Sequence, residues 1–262
     1  PARDFIGSTK VLHISFAESI SDMKSFEQCD YVFTNSESTL HFLKTNGWSG
    51  NKSFYLPQFV PEKNVLGNNV SKKDLYIPER SNVIFSSAGF FGAINFTPLF
   101  YAVSSIPELY LILCGYGTEK QEIEDIAMEI GVKPRIRFIE LSDNLSSLIT
   151  ISEFSIFPFF DIEIQKSILT SFQNKSLVIT EKNYLTSEII SDKENAITLT
   201  SNNYSNIADI IQTNLTDKLL HKEIIENAYT IYKEKYSEEK IIKQYINIFE
   251  TLISEYNQPN NF

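Results

Sequence analysis

Asp161, Glu163 and Lys166 stand close together in FPFFDIEIQKSILTSFQNKSLVIT (157–180). The stretch reads as strand, loop, helix and strand, with Pro158 closing the first strand. A carboxylate at such a turn accepts hydrogen bonds from sugar hydroxyls. The start of the following helix supports a phosphate, and Lys166 adds a point charge. A plainer reading is a solvated acidic cap, with Asp161 and Glu163 in a helix first turn. Two glycine-bearing turns offer related chemistry. SSAGFFGAIN (86–95) carries Gly89 and Gly92 around Phe90. Such glycines let backbone N–H groups approach an anion at a helix start. The alternative there is a tight turn, and no Lys or Arg lies between residues 81 and 119 to complete a phosphate site. LCGYGTEK (113–120) carries Gly115 and Gly117 around Tyr116. That flat ring suits stacking on a nucleobase, or simply a place at the surface. His13, in a strand-like run, faces either a crevice or the core.

Other chemistries find no residues. His13, His41 and His221 are far apart in sequence, and there is no metal-ligand spacing, nucleophile elbow or Walker loop. The net charge is −10, from 23 Lys plus Arg against 33 Asp plus Glu. A chain this acidic is a poor binder of nucleic acid or anionic membranes. Cys29 and Cys114 sit in apolar, strand-like settings. They read as buried thiols of a reducing compartment, which leads us to expect a cytoplasmic protein. No run of about 18 apolar residues exists to span a membrane. The N-terminus lacks the apolar core of a signal peptide.

The elements that must position these residues alternate strand and helix. KVLHISF (10–16), DYVFTN (30–35) and SFYLPQF (53–59) read as strands, and SESTLHFLKTNG (36–47) as a capped helix ending at Gly47. A polar stretch broken by Pro and Gly follows at 61–80. Then come strands at NVIFSSAG (82–89), LYLILCGYG (109–117), RIRFIE (135–140), FSIFPF (154–159), SLVIT (176–180) and NAITLT (195–200). Helices are expected between them, among them EKQEIEDIAMEIG (119–131), with apolar residues at 123, 126, 127 and 130. The C-terminus is helical over 217–236 and 237–256, with Ser237 as candidate N-cap of the last helix. Ile241, Ile242, Tyr245, Ile248, Phe249 and Leu252 form its apolar stripe. Strands separated by helices in this rhythm require a parallel sheet covered on both faces, an α/β fold.

Together the turns resemble the nucleotide-sugar-dependent glycosyltransferases of the GT-B fold, most of all the glycogen-synthase-like retaining group and the CgeB-like transferases. LYLILCGYGTEKQEIEDIAMEIGVKPRIRFIE is similar to that family's strand, Gly-x-Gly, helix and strand without a gap. CDYVFTNSESTLHFLKTNG, NKSFYLPQFVPEKN, LSSLITISEFSIFPF and SLVITEKNYLTSEIISDKENAITL resemble segments before and after it. The resemblance implies a doubly wound, parallel-sheet C-terminal domain and a small, incomplete N-terminal α/β domain. Residues 1–60 would be the acceptor-side part, with His13 on that side, 61–80 a linker and 81–236 the Rossmann-like nucleotide-sugar domain. Residues 237–262 would be a helix packing back toward the N-terminal segment. The family's two-Glu motif, with seven residues between, falls on Asp161 and Leu169. By resemblance Asp161 holds donor sugar hydroxyls, whereas Leu169 replaces the Glu that binds the ribose. Lys166 falls where the CgeB-like pattern has an Arg. The diphosphate-clamping Arg and Lys of many members have no counterpart in AGFFGAINFTP.

Two functions follow. One is sugar transfer from a nucleoside-diphosphate sugar to a glycan, lipid-linked or protein acceptor. No metal or other cofactor is expected, and Gly89, Phe90, Gly92, Gly115, Tyr116, Gly117, Asp161, Glu163 and Lys166 are the donor-site candidates. The other is a non-catalytic GT-B module that binds a glycan or a partner transferase subunit. The retained glycines and Asp161 favour the first, and Leu169 with the missing basic clamp favours the second.

Overall fold

The computed structural model describes the backbone of residues 14–17, and residues 29–47, 53–62, 70–140, 145–159, 164–183, 186–200, 203–216 and 221–256. The chain divides into two compact units, Pro1–Phe59 with Glu238–Phe262, and Val60–Ser237. In the smaller unit, β1 (Ile14–Ala17), β2 (Tyr31–Thr34) and β3 (Ser53–Tyr55) form a parallel sheet in that order. Its register pairs Phe16 with Phe33 and Phe33 with Phe54. Between β2 and β3 lies α1 (Glu37–Thr45). The Ser36 hydroxyl caps it by accepting from the Thr39 N–H at 3.2 Å.

The larger unit carries six parallel strands. They are β4 (Asn82–Ser87), β5 (Leu109–Gly115), β6 (Ile136–Glu140), β7 (Phe154–Phe157), β8 (Val178–Glu181) and β9 (Ile197–Leu199). The helices between and after them are α2 (Thr97–Ser105), α3 (Lys120–Glu129), α4 (Leu145–Thr150), α5 (Ile164–Gln173), α6 (Tyr204–Thr216) and α7 (Lys222–Ile231). A 3-10 turn, Ala93–Phe96, leads into α2.

Strand order is β6-β5-β4-β7-β8-β9. The chain builds outward from β4 in one direction, then returns to β7 and builds outward in the other. This is a doubly wound sheet, with its switch point between β4 and β7. Both faces are covered, because the strands are apolar on both sides. On one face Ile84, Leu111, Leu113, Ile156 and Ile179 pack with Leu99, Phe100 and Val103 of α2, Ile123 of α3 and Ile207 of α6. On the other, Val83, Phe85, Ile112, Phe157 and Val178 pack with Leu148 of α4, Ile168 and Leu169 of α5 and Ala228 of α7.

Residues 70–80 belong to this packing. Ile77 is buried on the second face, with Val70 and Leu75 against it. The Arg137 guanidinium fastens the segment by donating to the carbonyls of Leu75 (2.5 Å) and Tyr76 (2.8 Å). Arg137 also lies over the Tyr110 ring, 5.3 Å from its centroid. A stretch that reads as a polar connector is therefore part of the fold, because Val70, Leu75 and Ile77 turn inward, although Tyr76 between them stays exposed.

Past α7 the backbone widens into a π-helical turn, Tyr232–Tyr236. The Tyr232 hydroxyl donates to the Val60 carbonyl at 3.4 Å, and Ser237 bridges Val60. The points where the chain enters and leaves the larger unit thus lie side by side. The last helix, α8 (Glu238–Tyr256), belongs to the smaller unit. Its Leu252 is buried with Phe33 and Leu56, and Tyr245, Ile248 and Phe249 pack around them. The Phe33 and Phe249 rings are 5.5 Å apart. Of the expected stripe, Ile241 is fully buried but Ile242 lies 41% exposed, because it falls at the stripe's edge. Ser237 is extended, and its hydroxyl donates back to the Lys233 carbonyl at 3.0 Å. No helix among the described residues is long and apolar enough to cross a membrane.

Candidate active site at the switch point

In a doubly wound sheet the strands on either side of the switch send their following loops in opposite directions, which leaves a crevice at their carboxyl ends. Here the crevice lies past Ser87 of β4 and Phe157 of β7, and two contacts close its floor. On the α5 side the Ser87 hydroxyl donates to the Ser167 hydroxyl at 2.6 Å, and both residues are buried. On the α2 side the Phe96 and Phe159 rings lie 4.4 Å apart.

Helix α5 is seated by small hydroxyl side chains. Ser171 donates to Ser155 of β7 at 2.9 Å, and Ser155 pairs with Ser176 at 3.2 Å. These hydroxyls satisfy one another where larger side chains would hold the helix off the sheet. The start of α5 therefore points at the switch point. Its third residue, Lys166, is exposed there. Leu169 is fully buried in the core under this helix. Asp161, Glu163 and His13 lie outside the described residues.

The two glycine turns are bound to each other. The Ala88 N–H donates to the Cys114 carbonyl at 3.0 Å, and the Phe90 N–H to the Tyr116 carbonyl at 2.7 Å. The Glu119 N–H returns to the Phe90 carbonyl at 3.1 Å. The Glu119 carboxylate accepts from the Ala93 N–H at 2.8 Å. This close approach is what requires glycine. A Cβ on Gly115 would overlap the Ala88 carbonyl oxygen, and one on Gly117 (φ +152) would stand 2.5 Å from the Phe90 carbonyl oxygen.

Two expectations change accordingly. Phe90 offers nothing to a ligand. It is fully buried, with its ring 6.2 Å from Phe96 and 6.4 Å from Phe138. The turn with Gly89 and Gly92 is not an open cradle of amides. The N–H groups of Phe90, Phe91, Ala93 and Asn95 all donate within the protein. What the paired turns do present is aromatic surface: Phe91 is 54% exposed and Tyr116 50% exposed.

Sequence reading missed Glu119 and the Ser87–Ser167 pair. An acidic residue directly before a helix, after Gly-x-Gly, is a visible signal for a cap. Its partner, 26 positions upstream, is not. Arg135 and Arg137 do not contribute to the crevice. Arg135 donates to the carbonyls of Ser104 (3.0 Å) and Ile106 (2.7 Å), and Arg137 is held as described, both at the opposite, amino edge of the sheet. Among the described residues no cluster of His, Cys, Asp and Glu forms a metal site.

Residues 68–231 match the family described as Glycosyl transferases group 1. The chain belongs to that family. Its likeness to curated members is distant. It is 21% identical over 223 residues to the lipopolysaccharide core biosynthesis glycosyltransferase LpsE of Rhizobium meliloti, covering 85% of this chain and 65% of LpsE. To LpsD of the same organism it is 19% identical over 181 residues, 69% of this chain and 53% of LpsD. The chain thus spans between half and two thirds of the relatives it matches. Among solved structures it resembles Anabaena HepE in complex with UDP and glucose, with a TM-score of 0.75 and 16% identity over 92% of this chain and 71% of that one. The fold of this group 1 glycosyltransferase chain is therefore GT-B. The family match begins at the packed segment around residue 70 and ends in α7, so it coincides closely with the larger unit.

Proposed function

We propose that this chain binds a nucleoside-diphosphate sugar at the switch point and transfers its sugar to a glycan, lipid-linked or protein acceptor. The observation that carries the reading is the Ser87–Ser167 contact, which sets the start of α5 beside the end of β4. A helix start at that position suits a diphosphate, and Lys166 adds a positive charge to it. The exposed rings of Phe91 and Tyr116 suit a nucleobase. Asp161 is the candidate for the sugar hydroxyls, and Glu163, two positions on, is a further donor-site candidate. Membership of the group 1 family, and a fold shared with a protein crystallised with UDP and glucose, make UDP the first nucleotide to try. Lipopolysaccharide core synthesis, the role named for LpsE and LpsD, makes a lipid-linked glycan the first acceptor. In this reading no metal takes part, and Cys29 and Cys114, neither of them in a disulfide, suit a cytoplasmic setting. Incubation with UDP-sugars and lipid-linked oligosaccharide tests it, with release of UDP as the readout.

A second reading keeps its own support. Leu169 stands in the packed core where the family's ribose-binding Glu would be. A non-catalytic module would retain the crevice for a glycan or for a partner transferase. Thermal unfolding against a panel of nucleotides, nucleotide sugars and glycans separates the two. A ligand at 100 times its Kd adds about 2.7 kcal/mol.

A further inference from the structure

We propose that Glu119 is a positioning residue of the nucleotide site. This rests on the donor-binding reading above. Three interactions converge on it. Its carboxylate accepts from the Ala93 N–H (2.8 Å), its N–H donates to the Phe90 carbonyl (3.1 Å), and its carbonyl accepts from the Ile123 N–H (3.0 Å) to open α3. One residue thereby fixes the start of the helix after β4, the turn before it and the start of the helix after β5. Phe91 and Tyr116 are carried on the two turns that Glu119 joins, and both rings are exposed.

The placement also has an electrostatic consequence. The 3-10 turn Ala93–Phe96 runs into α2, so its start carries the partial positive charge of a helix N-terminus. A carboxylate already occupies that end. A nucleotide's diphosphate is therefore turned away from the β4 helix start and toward α5. Glu119 thus divides the crevice, holding aromatic surface for the base on the β4–β5 side and leaving the phosphates to the β7 side.

Two conservative variants separate reach from charge. Glu119→Gln keeps the length and an oxygen that accepts from Ala93, but loses the charge. Glu119→Asp keeps the charge and loses one methylene of reach. Isothermal titration of the full chain with UDP and with UMP, well below each variant's unfolding midpoint, reads the outcome. The expected result is that Asp weakens UDP and UMP by the same factor, about tenfold. Gln weakens neither by more than about threefold, and any gain it gives is larger for UDP, because the charge that turns the diphosphate away is gone. A common factor for the two nucleotides marks a defect at the part they share, the uridine and its first phosphate, and a general loss of stability would not produce it in folded protein. Unchanged binding by Glu119→Asp overturns the proposal, as does a loss confined to UDP or a loss with Gln but not Asp. If the unsubstituted chain binds neither nucleotide, the donor-binding reading itself fails and the proposal falls with it.

Discussion

The Ser87 hydroxyl donates to the Ser167 hydroxyl at 2.6 Å, across the switch point between β4 and α5. The two residues are 80 apart in sequence, and each is more than nine-tenths buried. The bond is therefore part of the site's foundation. Ser167→Ala strands the Ser87 hydroxyl and should cost about 1–3 kcal/mol in urea unfolding. The double change to Ala should cost less than the sum of the single changes, because neither hydroxyl is then left alone. Additive losses would show that the contact contributes nothing of its own.

Gly115 allows β5 to end directly beneath Ala88. Gly115→Ala has no space for its methyl, since the obstructing atom is a backbone carbonyl oxygen. The expected loss is about 1–3 kcal/mol, with separation of the two turns. Gly131 lies in a left-handed turn (φ +78) with open space around it, so Gly131→Ala should be felt only through backbone strain. Measured together by thermal unfolding, Gly115→Ala should be the more damaging. The reverse order would contradict the close approach described for the turns.

The contrast between these glycines shows where sequence reading reaches its limit. The six strands of the larger unit were legible, because short apolar runs bounded by Gly, Pro and polar helices have few other uses. The cap at Ser36 and the inward stripe of α8 were legible for similar reasons, both being local patterns. Gly89, Gly92, Gly115 and Gly117 were visible as turns, but their purpose was not. Gly89 and Gly92 read as a cradle for an anion, and Gly115 and Gly117 as a sharp turn presenting Tyr116, whereas the amides of Phe90 and Ala93 are used in joining one turn to the other. That purpose depends on Phe90, Ala93 and Glu119 meeting across β4 and β5, and no local spacing encodes it. Residues 70–80 misled in the opposite way. Their polar composition hid Ile77, a single residue whose burial docks the segment.

The smaller unit has its own pH dependence. Burial raises the hydroxyl of Tyr31, helped by the nearby Glu255 and Asp30, and burial raises that of Tyr245. Each group ionises less readily when folded than when unfolded. Their contribution to stability is complete below about pH 10 and is lost as pH rises through the folded values. Unfolding midpoints measured from pH 8 to 11 should fall at the alkaline end. Tyr31→Phe with Tyr245→Phe should flatten that fall. An unchanged alkaline slope in the double variant would contradict the assignment.

The most direct test of the central claim is isothermal titration of the chain with UDP and UDP-glucose, beside Lys166→Ala. If the switch point binds a nucleoside diphosphate against the start of α5, the unsubstituted chain shows one saturable site. Removing the Lys166 charge then weakens it by about 10- to 150-fold, the loss of one charge-assisted contact of about 1.5–3 kcal/mol. Saturable binding that Lys166→Ala leaves unchanged would contradict the placement of the diphosphate. A chain that binds no nucleoside diphosphate or nucleotide sugar would contradict the transferase reading itself.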